Sequence, residues 1–234
     1  MSQDKLLVYI IAFISLLAII SFLSSPYFQV RNISYQGLEA LKKSELEEIL
    51  KPYYRRNILL IDKSEVGARL LKLSYIKEVT VIKNLPDKLE IVIEERVPLA
   101  KINNNGKYLV FSEKGYILEK GSLKTRSRVP EILGTGYSLS NNRVLFSPLL
   151  EEIVQALKEI NRETREMIAC IQAGNGEINL GLYSQVPIYL GSSKDLVKKF
   201  RILQSVLTKV RKEDLKVEYI DLSILQKPVI KLVK

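Results

Sequence analysis

The sequence predicts an α+β protein: a single N-terminal transmembrane helix, a small β-α-α-β-β domain, and a second β-rich domain with two covering helices. Three observations lead there. Leu6 to Leu23 carries no charged residue. Ile76 to Ala100 holds two β-branched runs around a turn at Pro86-Asp87, and period-two alternation about turn residues signals a half-buried hairpin. Beyond Pro98, short strand-like runs alternate with Gly and Asn turns and with two stretches of helical period. The chain then divides into a tail at 1–5, a membrane helix at 6–25, a first domain at 28–97 and a second at 98–234.

Composition narrows the chemistry. Hydrophobic residues make up 47% of 234, enough for cores in two modest domains. Lys and Arg number 36 against 26 Asp and Glu, a formal charge of +10. Such a balance suits nucleic acid or an anionic membrane. The basic residues are scattered, however, and no nucleic-acid module pattern is present, so a Lys-rich surface and no specific nucleic-acid partner are expected. There is no histidine, which removes Ser-His-Asp triads, Cys-His pairs and His-bearing zinc sites. The single cysteine, Cys170, sits between Ala169 and Ile171. It is expected to be buried, and alone it makes no intrachain disulfide.

A helix over Leu6–Leu23, at about 1.5 Å per residue, covers ~27 Å of a ~30 Å hydrocarbon core. The rival is a cleaved signal peptide. Its apolar core runs only about 7–15 residues before a small-x-small site, and no such pair occurs around Ser24-Ser25. The helix is therefore read as uncleaved and as the chain's contact with the lipid bilayer. Flanking charge does not set its direction. Tyr27 and Phe28 fall where an interfacial aromatic belt belongs.

In the first domain, Val30, Ile33 and Tyr35 lie in a short strand ending at Gly37. Ser44-Glu45-Leu46-Glu47 matches a capping box, with Ser44 as N-cap. Leu46, Ile49 and Leu50 make its apolar stripe, and Pro52 ends it. Asn57 to Ile61 reads as a second extended piece. Asp62-Lys63-Ser64-Glu65 repeats the capping pattern before Val66, Leu70, Leu71 and Leu73. A hairpin follows, with Asn84 to Lys88 as a five-residue turn. Leu89, Ile91 and Ile93 alternate with Glu90, Val92 and Glu94 along its second strand. Glu94, Glu95 and Arg96 by themselves read as a solvated strand end.

This order has a specific likeness. Gly37, Asn57-Ile58-Leu59, Leu85-Pro86-Asp87-Lys88-Leu89 and the exit Glu95-Arg96-Val97-Pro98-Leu99-Ala100 together resemble the POTRA domain of the FtsQ/DivIB family of bacterial division proteins.

The second domain opens on Asn103-Asn104-Asn105-Gly106 between two strand-like runs, and Asn-Gly is a strong hairpin signal. Ser122 to Arg128 is a polar, basic loop leading to Val129-Pro130-Glu131-Ile132-Leu133-Gly134. Ser147-Pro148 is an N-cap with Pro at N1, and Leu150, Ile153, Val154, Leu157 and Ile160 form one helix face. Strands follow at Ile168–Ile171, Glu177–Leu182 and Val186–Leu190. Gly191 to Asp195 leads into a helix bearing Leu196, Phe200, Leu203, Leu207 and Val210. This is read as a helix on a sheet, because the spacing barely exceeds two heptads. The last strands are Val217–Leu222 and Val229–Val233. Val129 to Gly134, Val186 to Gly191 and Tyr219-Ile220-Asp221-Leu222 resemble the second domain of the same family. Ser223 stands where the family often has Arg, and Gln226-Lys227-Pro228 replaces a Gly-containing turn.

No catalytic set is complete, so no enzyme, small-molecule substrate, cofactor or metal is expected. Ser74-x-x-Lys77 matches one string of penicillin-binding proteins, but Ser-Asp-Asn and Lys-Thr-Gly are missing. Gly134-x-Gly136 and Gly174-x-Gly176 lack the third glycine of a dinucleotide loop.

A membrane helix carrying non-catalytic domains is suited to holding partners, and strand addition at a free sheet edge is the physical means. Val229–Val233 is the expected edge. It also reads as an ordinary last strand. The resemblance implies that this edge receives FtsB in complex with FtsL, with Ser223, Ile224, Gln226, Val229 and Ile230 at or beside the contact. It also implies a scaffold linking early and late division proteins at the septum, anchored in the inner (plasma) membrane with both domains extracytoplasmic. Other readings are a POTRA-containing envelope assembly or secretion factor, or an anchored envelope protein of another partner.

Overall fold

The computed structural model describes residues 3–121 and 127–233. Of the polar loop expected at Ser122–Arg128, residues 122–126 lie outside that range. The chain forms two compact units, Met1–Arg96 and Val97–Lys234.

The first unit begins with α1 (Gln3–Leu23). The stretch Lys5–Phe28 is long and apolar enough to cross a bilayer, and none of its most apolar 18-residue window is buried against the protein. The aromatic pair after it divides. Tyr27 stays 54% exposed, while Phe28 turns into the domain core. The Asn57 side chain donates to the Leu23 carbonyl at 2.6 Å, tying the helix end to the domain.

The domain comprises β1 (Asn32–Gln36), α2 (Lys43–Leu50), α3 (Lys63–Leu70), β2 (Ile76–Asn84) and β3 (Lys88–Glu95). Its sheet runs β1-β3-β2, with β1 parallel and β2 antiparallel to β3. Leu89, Ile91 and Ile93 are buried, as their alternation predicts, together with Val81 and the helix residues Leu46, Leu50, Val66 and Leu70. Asn84 pairs with Lys88, so the turn is Leu85-Pro86-Asp87, shorter than the five residues expected.

Four local expectations are corrected by the structure. Asn57 to Ile61 is not extended. Ile58–Leu60 is a 3-10 turn whose Leu59 N–H donates to the Asn57 side chain at 2.9 Å, the same chemistry that caps an α-helix. Ser44 is not an N-cap, because α2 begins two residues earlier than that cap requires, after Lys42 and without a side-chain cap. The Glu95 carboxylate instead serves the turn before α2, accepting from the N–H groups of Glu39 (3.1 Å), Ala40 (2.8 Å) and Leu41 (3.1 Å). Nor are Glu95 and Arg96 a solvated strand end. The Arg96 N–H donates to the Tyr75 carbonyl at 2.6 Å. Its guanidinium donates to the carbonyls of Ser74 (2.8 Å) and Ile76, stapling the end of β3 to the start of β2. Asp62 caps α3 as expected, accepting from Ser64 N–H at 2.8 Å. Glu65 departs from the capping box, accepting from the Tyr53 hydroxyl and pairing with Arg69.

The second unit comprises β4 (Pro98–Asn104), β5 (Lys107–Ser112), β6 (Ile117–Gly121), β7 (Glu131–Leu133), β8 (Tyr137–Ser140), β9 (Arg143–Phe146), α4 (Pro148–Lys158), α5 (Arg162–Met167), β10 (Ile168–Gly174), β11 (Glu177–Leu182), β12 (Pro187–Gly191), α6 (Leu196–Lys212), β13 (Val217–Asp221) and β14 (Val229–Leu232). Nine strands form one sheet in the order β14-β13-β12-β11-β10-β7-β4-β5-β6, and β8-β9 is a separate hairpin. Ile153, Val154 and Leu157 of α4 and Phe200, Leu203 and Leu207 of α6 share one core with Phe111, Ile171, Leu180, Ile188 and Ile220 of the sheet. The spacing along α6 is therefore that of a helix on a sheet. The β8-β9 hairpin and α5 have no counterpart in the sequence reading.

Two single residues also differ from expectation. Cys170 is only half-buried, because the register shifts between Ile168 and Cys170 and the core is met by Ile168, Ile171 and Ala173. Lys199 is buried on α6. Its ammonium donates to the carbonyls of Leu190 (2.6 Å) and Ser192 (2.8 Å), fastening the helix to the end of β12. Desolvation holds its pKa below the ordinary lysine range.

Two predictions follow from the first unit's geometry. Gly37 has φ 80, and a Cβ there would lie 2.0 Å from the Ile93 carbonyl oxygen. Gly37→Ala should cost about 2–4 kcal/mol, read as a lower urea midpoint of the detergent-solubilised chain. The Asp62 carboxyl is held below the ordinary value of 3.8, chiefly by the Ser64 hydroxyl and then by the Ser64 N–H. A depressed acid contributes fully above 3.8 and loses that contribution as pH falls through its folded value. Asp62→Asn, which keeps a capping oxygen, should flatten the drop in thermal midpoint over that acidic window. Asp62→Ala should lower the midpoint already at neutral pH.

Candidate partner-binding edge of the second sheet

An open sheet has two ends, here β14 and β6. The start of β6 is engaged: Ile117 N–H donates to the Asn142 carbonyl at 3.0 Å, and Tyr116 bridges Arg143 at the β8-β9 hairpin. β14 pairs only with β13 among the described residues.

The register on β14 runs Asp221↔Val229, Ile220↔Ile230 and Tyr219↔Lys231, with a shift before Val217↔Leu232. Val233 N–H donates inward to the Lys216 carbonyl at 2.8 Å. Backbone direction alternates along a strand, so the N–H and C=O groups of Ile230 and Leu232 point away from β13. All four residues of β14 are exposed.

Its two faces differ in chemistry. Ile230 lies beside the buried Ile220 on the core side, yet it is 38% exposed, and Leu232 is 46% exposed. The apolar face of the sheet thus runs past the part that the helices cover. On the other face Lys231 sits 5.6 Å from the Tyr219 ring, which meets Tyr189 at 6.1 Å. Lys231 donates to the Glu218 carboxylate at 3.0 Å, which raises its pKa.

The sequence-derived residues fall into two groups. Val229 and Ile230 lie on β14. Ser223, Ile224 and Gln226 are exposed in the loop from β13 to β14. There the Ser223 N–H donates to the Asp221 carboxylate at 2.8 Å, and Lys227 N–H donates to the Ile224 carbonyl at 3.0 Å. Ser223 is also packed closely, since a Cβ on Gly191 (φ 64) would meet its Cβ at 3.1 Å. Lys231 and Leu232 belong to the edge strand the sequence predicts, whereas Tyr219 and Tyr189 were not expected as parts of this surface. Alternation along Val217-Glu218-Tyr219-Ile220 was the available signal for Tyr219. Nothing local in the sequence pairs it with Tyr189.

A metal centre has no support among the described residues, where no group of three or more His, Cys, Asp or Glu side chains converges.

Residues 28–96 match the family model described as POTRA domain, FtsQ-type. Residues 100–223, more than half of the chain, match that of Cell division protein FtsQ/DivIB, C-terminal. That match ends before β14. Cell division protein DivIB of Clostridium tetani is 28% identical, across 94% of this chain and 85% of its own. Cell division protein FtsQ of Coxiella burnetii is also 28% identical, across 74% of this chain and 72% of its own. A solved extracytoplasmic domain of DivIB from Geobacillus stearothermophilus aligns with half of this chain and 97% of its own at 12% identity, with a TM-score of 0.36. With residues 28–96 and 100–223 matched in order behind an apolar helix, the chain belongs to the FtsQ/DivIB family of bacterial cell division proteins.

Proposed function

We propose that this chain is a non-catalytic, membrane-anchored scaffold of the division machinery. It holds FtsB-like and FtsL-like membrane proteins at the septum by adding an extended segment of one of them to β14. Through them it links early and late division proteins. α1 crosses the inner (plasma) membrane once, and both folded units stand outside the cytoplasm.

The observation that carries this reading is the unpaired edge of β14 with the half-exposed Ile230 and Leu232 behind it. An added strand gains main-chain hydrogen bonds from the outward groups of Ile230 and Leu232, while its own apolar side chains cover theirs. Val229 contributes on the opposite face. Ser223, Ile224 and Gln226 form the loop at the end of the strand, where the incoming segment enters or leaves. Each buried apolar side chain is worth about 1.5–3 kcal/mol at full burial. Two half-exposed ones therefore supply a meaningful part of a micromolar affinity, which is ~8 kcal/mol. The incomplete Ser-x-x-Lys set agrees with a non-catalytic role: Lys77 lies on β2 and is paired with Glu94.

A pull-down from division-competent membranes tests the role and the site separately. The full chain should retain an FtsB-like and FtsL-like pair, and a chain cut after Gln226 should lose both. Ile230→Pro is the sharper variant. It deletes an N–H that points away from β13, a position where an edge strand tolerates proline, so the fold should persist while capture falls at least about tenfold. Capture unchanged by either variant would show that β14 is the wrong edge. Absence of division proteins from the full-chain pull-down would sink the scaffold role itself.

A further inference from the structure

The end of the first unit next to α1 is assembled from separate parts of the sequence. Asn57, which holds the Leu23 carbonyl, also bridges Gln29. Val30 exchanges backbone bonds with Arg55 and Arg56, each 2.9 Å long. Arg31 N–H donates to the Asp87 carbonyl at 2.9 Å, and Lys83 reaches the Leu59 carbonyl at 3.1 Å. The end of α1, the Ile58–Leu60 turn and the β2-β3 turn therefore make one tip.

That tip exposes apolar groups which a folded domain ordinarily hides. Leu60 is 85% exposed, Leu85 58% and Tyr27 54%, the three most exposed large apolar side chains of the unit beyond α1. Leu60 gains nothing from the fold, since the adjacent Ile58 and Ile61 are the residues that enter the core. Exposed beside them are Arg31, Arg55 and Arg56. Arg55 holds a backbone φ of 62, which Asn or Gly adopts with less strain. The nearby acids are partly engaged, with Asp62 capping α3 and Asp87 half-buried. Leu and Tyr side chains with arginines around them have the composition of a surface lying in a membrane interface.

We propose that this tip is a second membrane contact, seated on the bilayer that α1 crosses. Leu60, Leu85 and Tyr27 enter the headgroup layer, and Arg31, Arg55 and Arg56 hold the phosphates of anionic phospholipids. The domain then stands on the membrane in a set orientation and does not swing on its connection. This rests on α1 as the membrane span.

The test uses the full chain with Cys170→Ser, carrying one environment-sensitive probe on either Leu60→Cys or Leu71→Cys. Leu71 is 47% exposed at the opposite end of α3, so it is an apolar control away from the tip. The chain is reconstituted in vesicles of phosphatidylcholine, alone or mixed with phosphatidylglycerol. In the mixed vesicles, brominated acyl chains should quench the Leu60 probe several-fold more than the Leu71 probe, and iodide should do the reverse. Joint Arg31→Gln, Arg55→Gln and Arg56→Gln should bring the two probes to the same level. Equal quenching at both positions, or equal Leu60 quenching in neutral and anionic vesicles, overturns the proposal even if the arginine variant misfolds. Flotation separates the underlying assumption: a chain that floats with neither vesicle overturns the membrane span and the seat together. A chain that floats with Leu60 open to iodide overturns the seat alone.

Discussion

Nine strands that do not close into a barrel must leave two edges, and an edge is a row of backbone groups with no partner. The second unit depends on how this constraint is met. One end is engaged by the β8-β9 hairpin at Tyr116 and Ile117. At the other end Pro228 precedes β14 and Lys231 lies within it, both residues that discourage unwanted pairing. Lys231 is drawn to Glu218 on one face, however, so its charge does not lie across the outward groups of Ile230 and Leu232. The edge is short and partly guarded, a condition that favours one matched segment over indiscriminate sheet extension.

The core of both units was legible because burial follows period. Leu89, Ile91 and Ile93 on a strand, and Leu196, Phe200, Leu203 and Leu207 on a helix, are buried where their spacing puts them. Local capping was legible where the acceptor is a neighbour, as with Asp62 and Ser147. It failed at Ser44: α2 starts after Lys42 without a side-chain cap, and the turn before it is held by Glu95, distant in sequence. The same limit hid Lys199. A lysine on a helix ordinarily reads as surface, and only the fold brings the carbonyls of Leu190 and Ser192 within its reach.

Part of the basic charge is also explained by the backbone. The guanidinium of Arg96 and the ammonium of Lys199 are spent on main-chain carbonyls. Other cations face acids, as Lys77 does Glu94 and Arg201 does Glu159. A count of formal charge treats these groups as available to a polyanion, whereas the structure uses them as internal donors. Three more arginines are informative because of where they lie, although Arg31 also donates to the Pro26 carbonyl at 3.4 Å and Arg56 sits 5.7 Å from the Tyr53 ring. Arg31 lies well upstream of the adjacent Arg55 and Arg56, and the pairing of Val30 with the segment after Tyr53 brings all three to one end.

The candidate edge was only half legible, and strand addition itself supplies the reason. Such contacts are made mainly by N–H and C=O groups, which every residue carries, and side chains at alternate positions add selectivity. A sequence can therefore show that Val229–Val233 is apolar enough to be a strand, but not whether its outer side is paired. That property belongs to the whole sheet order, β14 through β6, which no segment specifies alone. By the same argument, a partner held through its main chain places few demands on the identity of Ser223 or Gln226. It places strict ones on whatever sets the position of β13, on which β14 is laid: the close approach at Gly191 and the Lys199 lock at the end of β12. The residues that decide recognition at the proposed edge would then lie mostly behind it.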